Sequence, residues 1–315
     1  MEKPRRFLSV CVNPTLQKTL CFDGVIPGGV NRAAASRLDV SGKGINVTRV
    51  LSQLGKDAVH LTHLGGGLRG LFLNLCEEDG LDVRWVESGS AVRFCYTIIA
   101  GEGSGRTVTE LVEEGEPVAP GTGEKVLAAY GELLSEAGTV IISGTKARGY
   151  GRGLVPEMVR LAREAGRRTI LDVRGDDLRD SLPFGPDVIK PNLFEFAGTF
   201  APGLESLGEL SGDKAGVREQ IEALALDLAA RYGTGVILSR GTRPVWYAAA
   251  CKGGGVFAEC PVESRPPVNT VGSGDAFTAG LAAALEDRLP LREAILQGIR
   301  CGGLNAGLLK PGVIR

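Results

Sequence analysis

Apolar positions along this chain recur with two different periods, and the alternation between them outlines the fold. Residues 7–12 are a short, mostly apolar run closed by Asn13-Pro14, which reads as a buried strand. Residues 18–22 and 32–40 are apolar at only about half their positions and flank Pro27-Gly28-Gly29. Such runs suit a sheet with one solvated face better than a parallel core. After the turn Ser41-Gly42-Lys43-Gly44, Ile45, Val47, Val50, Leu51 and Leu54 fall at helical spacing, and Gly55 closes that helix. Ala58–Leu64 reads as a strand and residues 70–79 as a helix ended by Gly80. Arg93–Ala100 and residues 106–111 form a second half-polar pair around a glycine-rich turn.

From there the rhythm is regular. Helices are expected over 123–137, 154–165, 217–232, 275–286 and 291–304. Strands are expected over 139–143, 169–173 and 236–239, with a short strand end at 188–190 and a hairpin-like pair at 245–250 and 256–261. Alternating helix and strand implies an α/β protein whose mainly parallel sheet is covered on both faces. The half-polar strands near 15–40 and 92–112 do not belong in that sheet, and they are expected to meet in space as a small lid. No repeat or linker divides the chain, so residues 1–315 are read as one domain, with 203–214 its most loop-like part.

Composition narrows the function by exclusion. A chain of 315 residues buries a large core, and a net charge of −1 implies no broad basic face for nucleic acid or anionic membrane. The seven cysteines form no C-x-x-C pair, and with only two histidines a zinc site is not expected. Small buried cysteines in a reducing cytoplasm fit better. The apolar run at 7–12 is too short for a secretory signal, and no stretch is long enough to span a bilayer.

Chemistry concentrates in a few places. Gly272-Ser273-Gly274-Asp275 leads into the apolar run that starts at Ala276. A glycine-rich turn entering a helix leaves backbone N–H groups that suit an anion, and Asp275 in the first turn either caps the helix or takes a proton from a bound alcohol. Gly42-Lys43-Gly44-x-Asn46 lets the backbone approach a ligand whose oxygens Lys43 and Asn46 bind; otherwise it is a turn before a helix. It is not a P-loop, because Gly44 stands where Ser or Thr must follow the lysine. Arg32 and Arg93, each placed on a half-polar strand, are either phosphate-binding forks or solvated side chains. Lys190-Pro191-Asn192-x-x-Glu195 is a ligand element at a strand end or a proline turn with a capping Glu. Gly65-x-Gly67-x-x-Gly70, with Glu87 downstream, matches the dinucleotide fingerprint but lacks a second unit of the expected kind. His60 and His63 lie on opposite faces of a strand, so structural roles are expected for both.

Taken together, these residues resemble the PfkB carbohydrate kinases of the ribokinase-like superfamily, from about Asn13 to Asn305. The resemblance implies a three-layer α/β/α ribokinase-like fold with a β-strand lid, ATP and Mg²⁺ as cofactors, and a sugar or sugar phosphate as substrate. Asp275 is then the catalytic base, and the amides of Gly272, Ser273 and Gly274 form the anion hole. Gln17, Arg32, Gly42, Lys43, Asn46 and Arg93 bind the sugar. Lys190, Asn192, Ser239, Gly241, Thr270, Gly272, Gly274 and Asn305 serve the nucleotide, and Asn192 and Glu195 reach the metal through water. Asn13-Pro14, Gly29-Val30-Asn31-Arg32-Ala33 and Arg93 resemble the fructose-1-phosphate and tagatose-6-phosphate kinase subfamily. The chain departs from that subfamily at Gln17, where an Asp is usual, at Ser41, where a Gly is usual, and at Val112, where an Asn is usual. A divergent hexose-phosphate kinase, dimeric through its lid, is expected. A kinase for an unphosphorylated sugar or nucleoside is the alternative; an NAD-dependent oxidoreductase or a non-catalytic sugar-binding protein is remote.

Overall fold

The computed structural model describes residues 6–101, 103–204, 216–251, 253–263 and 266–315. In chain order the elements are β1 (Arg6–Val10), β2 (Thr15–Phe22), β3 (Ala35–Ser41), α1 (Lys43–Gln53), β4 (Ala58–Leu64), α2 (Arg69–Glu78), β5 (Asp82–Glu87), β6 (Arg93–Ala100) and β7 (Thr107–Val112). There follow α3 (Thr122–Leu134), β8 (Ala137–Ser143), α4 (Leu154–Glu164), β9 (Arg168–Asp172), α5 (Gly175–Ser181), β10 (Val188–Ile189), α6 (Leu193–Phe200) and α7 (Val217–Tyr232). The chain closes with β11 (Gly235–Arg240), β12 (Arg243–Cys251), β13 (Gly254–Cys260), α8 (Ser273–Glu286) and α9 (Leu291–Ala306).

Nine strands form one sheet in the order β13-β12-β11-β10-β9-β8-β1-β4-β5. Pairing is parallel from β5 to β11, and β12 and β13 add antiparallel at one edge. Period-two alternation sorts the strand side chains into two cores. Leu8, Val140, Leu171 and Val236 face α3, α4 and α7 through Tyr130, Met158 and Ile221. Phe7, Ile141, Ile170 and Ile237 face α1, α8 and α9 through Leu51, Leu281 and Ile295. The result is the expected α/β/α layering.

The half-polar strands meet as a second, four-stranded sheet in the order β3-β2-β6-β7. One of its faces packs Leu16 and Val40 on Phe72 and Leu64, a third core shared with α2 and β4. Two boundaries differ from expectation. β2 starts at Thr15, which brings Gln17 into the strand, and β3 starts at Ala35, which leaves Arg32 in an exposed connection rather than on a strand. The short elements β5, α5 and α6 lack a clear periodic signal over so few residues and were not anticipated. The segment 203–214 lies mostly outside the described residues. Among the described residues, no helix is long and apolar enough to cross a membrane.

Candidate active site

The carboxyl-terminal ends of the parallel strands, the usual ligand edge of such a sheet, carry a compact set of charged groups. Asp172, the last residue of β9, is fully buried. Its Oδ1 accepts from Lys43 Nζ at 3.0 Å, and its Oδ2 accepts from Thr278 Oγ1 at 3.0 Å and lies 3.2 Å from Lys190 Nζ. Burial alone would push this carboxyl up, but the two lysines outweigh it and hold Asp172 at about 2. Lys43 in turn stands 3.8 Å from Glu195 Oε1.

Asp275 lies beside this cluster, in the first turn of α8. It is not a cap: Gly272 occupies the N-cap position, in the left-handed region at φ 82°, and no side chain bonds the helix start. Asp275 Oδ2 instead accepts from Asn46 Nδ2 at 2.8 Å. Asn46 Oδ1 accepts from Arg49 Nη1 at 3.0 Å, and this fixes which end of the amide faces Asp275. Burial pushes Asp275 up to about 6, helped by the negative Asp172 and opposed by Lys43 and by the bond from Asn46. A buried carboxyl raised towards neutrality beside an open ligand edge is a candidate proton acceptor.

The glycines of the Gly-Lys-Gly turn are demanded by geometry. Gly42 has φ 108°, and a Cβ on Gly44 would lie 2.4 Å from His60 Cε1 and 2.8 Å from Cys11 Cβ. His60 is therefore the floor beneath this turn, held neutral by burial at about 3. His63 bonds the Tyr150 hydroxyl at 2.7 Å and is likewise lowered by burial, to about 4. Both histidines have packing roles, as their opposite facing suggested.

At the start of α8, the Ser273 amide turns back to Thr270 O at 3.2 Å. Among the described residues the Gly274 and Asp275 amides have no such partner, and Ser273 Oγ is buried without one. A Cβ on Gly274 would meet nothing within 4 Å. Orphan donors at a helix N-terminus, opening on free space, have the chemistry that suits an oxyanion. Beyond it runs a mostly apolar cleft of about 630 Å³, bordered by Ser239, Gly241, Thr270, Ser273, Gly274 and Phe277 and floored by Val245, Ile299 and Leu304.

The structure thus gathers Gly42, Lys43, Asn46, Asp275 and the Gly272-Ser273-Gly274 turn, with Ser239, Gly241 and Thr270 on the adjoining cleft. Arg93 begins β6 with Nη1 donating to Glu113 O at 2.7 Å and Nε buried without a partner. Its charge acts on Cys11, as does that of Asp275: burial pushes the Cys11 thiol up, and Arg93 opposes that rise. Gln17 is buried and donates from Nε2 to Thr97 Oγ1 at 2.8 Å.

The remaining assigned residues have the following structural partners. Asn192 and Glu195 form a reciprocal capping box on α6, at 2.8 and 2.9 Å, which uses Asn192 Oδ1 and Glu195 Oε2 and leaves Glu195 Oε1 facing Lys43. Lys190 is buried against Asp172 and over the Phe277 ring, not on the cleft. Asn305 is neither exposed nor on the cleft: Oδ1 accepts from Gly312 N at 3.1 Å, bracing the loop behind Gly272. Of the dinucleotide-like glycines, Gly65 serves packing, since a Cβ there would lie 2.6 Å from Ser90 O, and Glu87 is taken by Arg69 at 2.5 Å.

Three residues of the site escaped the sequence reading. Asp172 was visible as a carboxylate ending an apolar strand. Thr278 sits inside a run that reads simply as buried helix, and Arg49 falls between the apolar positions of a helix read from their spacing.

Comparison with known proteins covers the stretch of chain that holds these residues. The model of the pfkB family of carbohydrate kinases matches residues 14–312. A 1-phosphofructokinase of Rhodobacter capsulatus is 31% identical over 292 residues, covering 91% of this chain and 86% of that protein. Phosphofructokinase-2 of Escherichia coli, solved with fructose-6-phosphate, superposes with a TM-score of 0.79 at 20% identity over 96% of this chain and 94% of its own. A Thermotoga maritima protein described as a possible 1-phosphofructokinase superposes with a TM-score of 0.80 at 22% identity, over 96% and 92%.

Proposed function

The chain belongs to the pfkB family of carbohydrate kinases, and we propose that it transfers the γ-phosphoryl group of ATP to a hydroxyl of a hexose phosphate. It is a phosphotransferase with an alcohol as acceptor. What supports the substrate reading is Asp275, a buried carboxyl raised towards neutrality beside the orphan amides of Gly274 and Asp275, together with Arg93, whose Nε has no acceptor and whose charge reaches Cys11 as that of Asp275 does.

In this reading the cleft holds the nucleotide base and ribose, and the triphosphate points at the α8 N-terminus. The orphan amides receive the charge that spreads over the transferred group, so they stabilise the transition state more than the ground state. Asn46 orients Asp275, which takes the hydroxyl proton late in a loose transition state. Lys43, anchored by Asp172, keeps a positive charge beside the phosphates. Arg93 holds the phosphate already on the sugar, and its planar fork suits that task.

The donor set suits Mg²⁺ held mainly by phosphates and water. Asp172 is saturated by two lysines and Thr278, and Glu195 Oε1 is the carboxylate oxygen left uncommitted by the capping box. Among the described residues, no three of His, Cys, Asp and Glu cluster as a metal cage. When bound, Mg²⁺ would neutralise phosphate charge, with Glu195 as its water-mediated contact.

The lid is also read as a dimer contact. Leu20, Tyr96 and Ile98 lie on the same lid face as Leu16, past its contact with the third core, and are only partly covered, and Leu111 is exposed. A second copy would cover this apolar face, and light scattering at micromolar concentration should return twice the chain mass. The decisive assay for function is ADP release over a panel of hexoses, hexose phosphates and nucleosides. Turnover fastest with an unphosphorylated sugar or nucleoside would overturn the hexose-phosphate reading.

A further inference from the structure

At the opposite edge of the large sheet from the active site, the ends of α4 and α8 and the starts of β8, β9 and β10 enclose a concave space of about 430 Å³. It is lined by four arginines, Arg163, Arg167, Arg168 and Arg288, and two acids, Asp187 and Glu286. Each acid already accepts hydrogen bonds through one carboxylate oxygen. Glu286 Oε2 accepts from Arg168 Nη1 at 3.0 Å and from Thr139 Oγ1 at 2.6 Å, and Asp187 Oδ2 accepts from Thr169 N at 2.8 Å. The side chains of Arg163, Arg167 and Arg288 make no hydrogen bond or ion pair among the described residues, and Arg167 Nε is buried without an acceptor.

Arg288 adds an independent observation. It is the non-glycine residue with positive φ among those described, at 63°. It follows α8 in a left-handed turn, with Arg288 N bonded to Leu285 O and Leu289 N to Ala284 O, both at 3.0 Å. Glycine or Asn is the usual occupant of such a position, because a Cβ there is strained. The Arg288 side chain is exposed, so no packing holds it in place. Strain retained at a residue whose side chain lines a cavity points to function. The helix macrodipoles favour cations at both helix ends. They do not explain why three unpaired guanidiniums converge on one hollow, nor why Arg167 Nε is buried without an acceptor.

We propose that this hollow is a second anion site, distinct from the active site, that binds a small phosphorylated or polyphosphate anion. The volume lies within the range of small-molecule pockets. Guanidinium forks match phosphate oxygens, and two net positive charges remain after the two acids are counted against the four arginines.

The test is calorimetric titration of pyrophosphate at low ionic strength into the wild type, Arg288→Gly and Arg163→Ala/Arg167→Gln. Anion binding at the active site contributes equally to all three, so differences report this hollow alone, and they are read without turnover. The expected result is a binding event weakened about tenfold or more in both variants, as loss of charged hydrogen bonds implies. Arg288→Gly, freed of strain, should show an unchanged or higher melting temperature without anion, and kcat and KM for ATP at the wild-type value. Superimposable isotherms would overturn the proposal. So would a lower melting temperature of Arg288→Gly with unchanged pyrophosphate binding, which would make Arg288 a helix-end residue only.

Discussion

Asn46 and Asp275 are 229 residues apart in sequence and joined by a 2.8 Å hydrogen bond. The bond ties the Gly42-Lys43-Gly44 turn to the helix with the orphan amides, so the proposed base is positioned by the element proposed to bind the acceptor. Arg49 fixes the Asn46 amide while also bonding Val40 O at 2.7 Å and Pro311 O at 3.0 Å, and this links lid, site and the loop behind Gly272.

Replacing Asp275 by Asn keeps shape and burial and removes the proton acceptor. The expected outcome is a kcat lower by about 10²–10⁴-fold with KM for ATP largely kept. Because Asp275 caps nothing, no stability is lost. Near-wild-type turnover in steady-state kinetics would remove Asp275 from the mechanism.

The raised carboxyl gives a pH signature. The base works only when ionised, so kcat/KM should climb about tenfold per pH unit and level off near pH 6. Stability runs the opposite way. The folded state binds this proton more tightly than the unfolded chain, so the contribution is fully present below about pH 4 and is lost as pH rises through about 6. Asp275→Asn should therefore be more stable than the wild type near neutral pH, by up to about 3 kcal/mol, and the gap should close in acid. Asn46→Leu removes a bond that lowers this pKa, and its acid limb should move above pH 6. A limb left in place would mean that another group sets it.

Arg93 separates a phosphorylated substrate from a neutral one. Arg93→Ala should raise KM for the best phosphosugar about tenfold or more, the loss expected for charged hydrogen bonds, and leave KM for ATP unchanged. Arg93→Lys should recover part of this, since it restores charge without the fork. An unaltered KM for the sugar phosphate would assign Arg93 to bracing Glu113 alone.

How much of this was legible in sequence depends on what set each feature. The layers were legible because period-two strands and amphipathic helices each have to bury one face, as Leu8 and Phe7 show by dividing between the two cores. The Gly42 and Gly272 turns were legible because positive φ and close approach admit little but glycine. What escaped were roles fixed by distant partners. Asn192-x-x-Glu195 spells both a ligand element and a capping box, and only its geometry shows the capping bonds. Asn305 could not be placed without the loop at Gly312 that it braces. Arg49 lies at 3% exposure, at a position between the periodic apolar residues of its helix, and its four hydrogen-bonding partners come from remote segments and the preceding turn.

Gln17 tests substrate choice. Its Nε2 donates to Thr97 Oγ1 at 2.8 Å across the middle of the lid, and both side chains are buried. No hydrogen-bond partner for Oε1 stands among the described residues, so this oxygen is available to accept from a sugar hydroxyl. Gln17→Asp shortens the chain and leaves only acceptors, so the Thr97 hydroxyl must turn to donate and the contact to the sugar changes in reach and charge. Hydroxyl contacts discriminate between epimers because a buried polar group left unpaired by the wrong sugar costs about 1–3 kcal/mol. The expected outcome is a changed order of kcat/KM among hexose phosphates, with turnover retained. Thr97→Val is the control: it breaks the pair, leaves Gln17 without its acceptor, and should lower stability by about 1–3 kcal/mol. If Gln17→Asp lowers the melting temperature in the same way while the substrate order stays fixed, Gln17 is a brace of the lid and does not read the sugar.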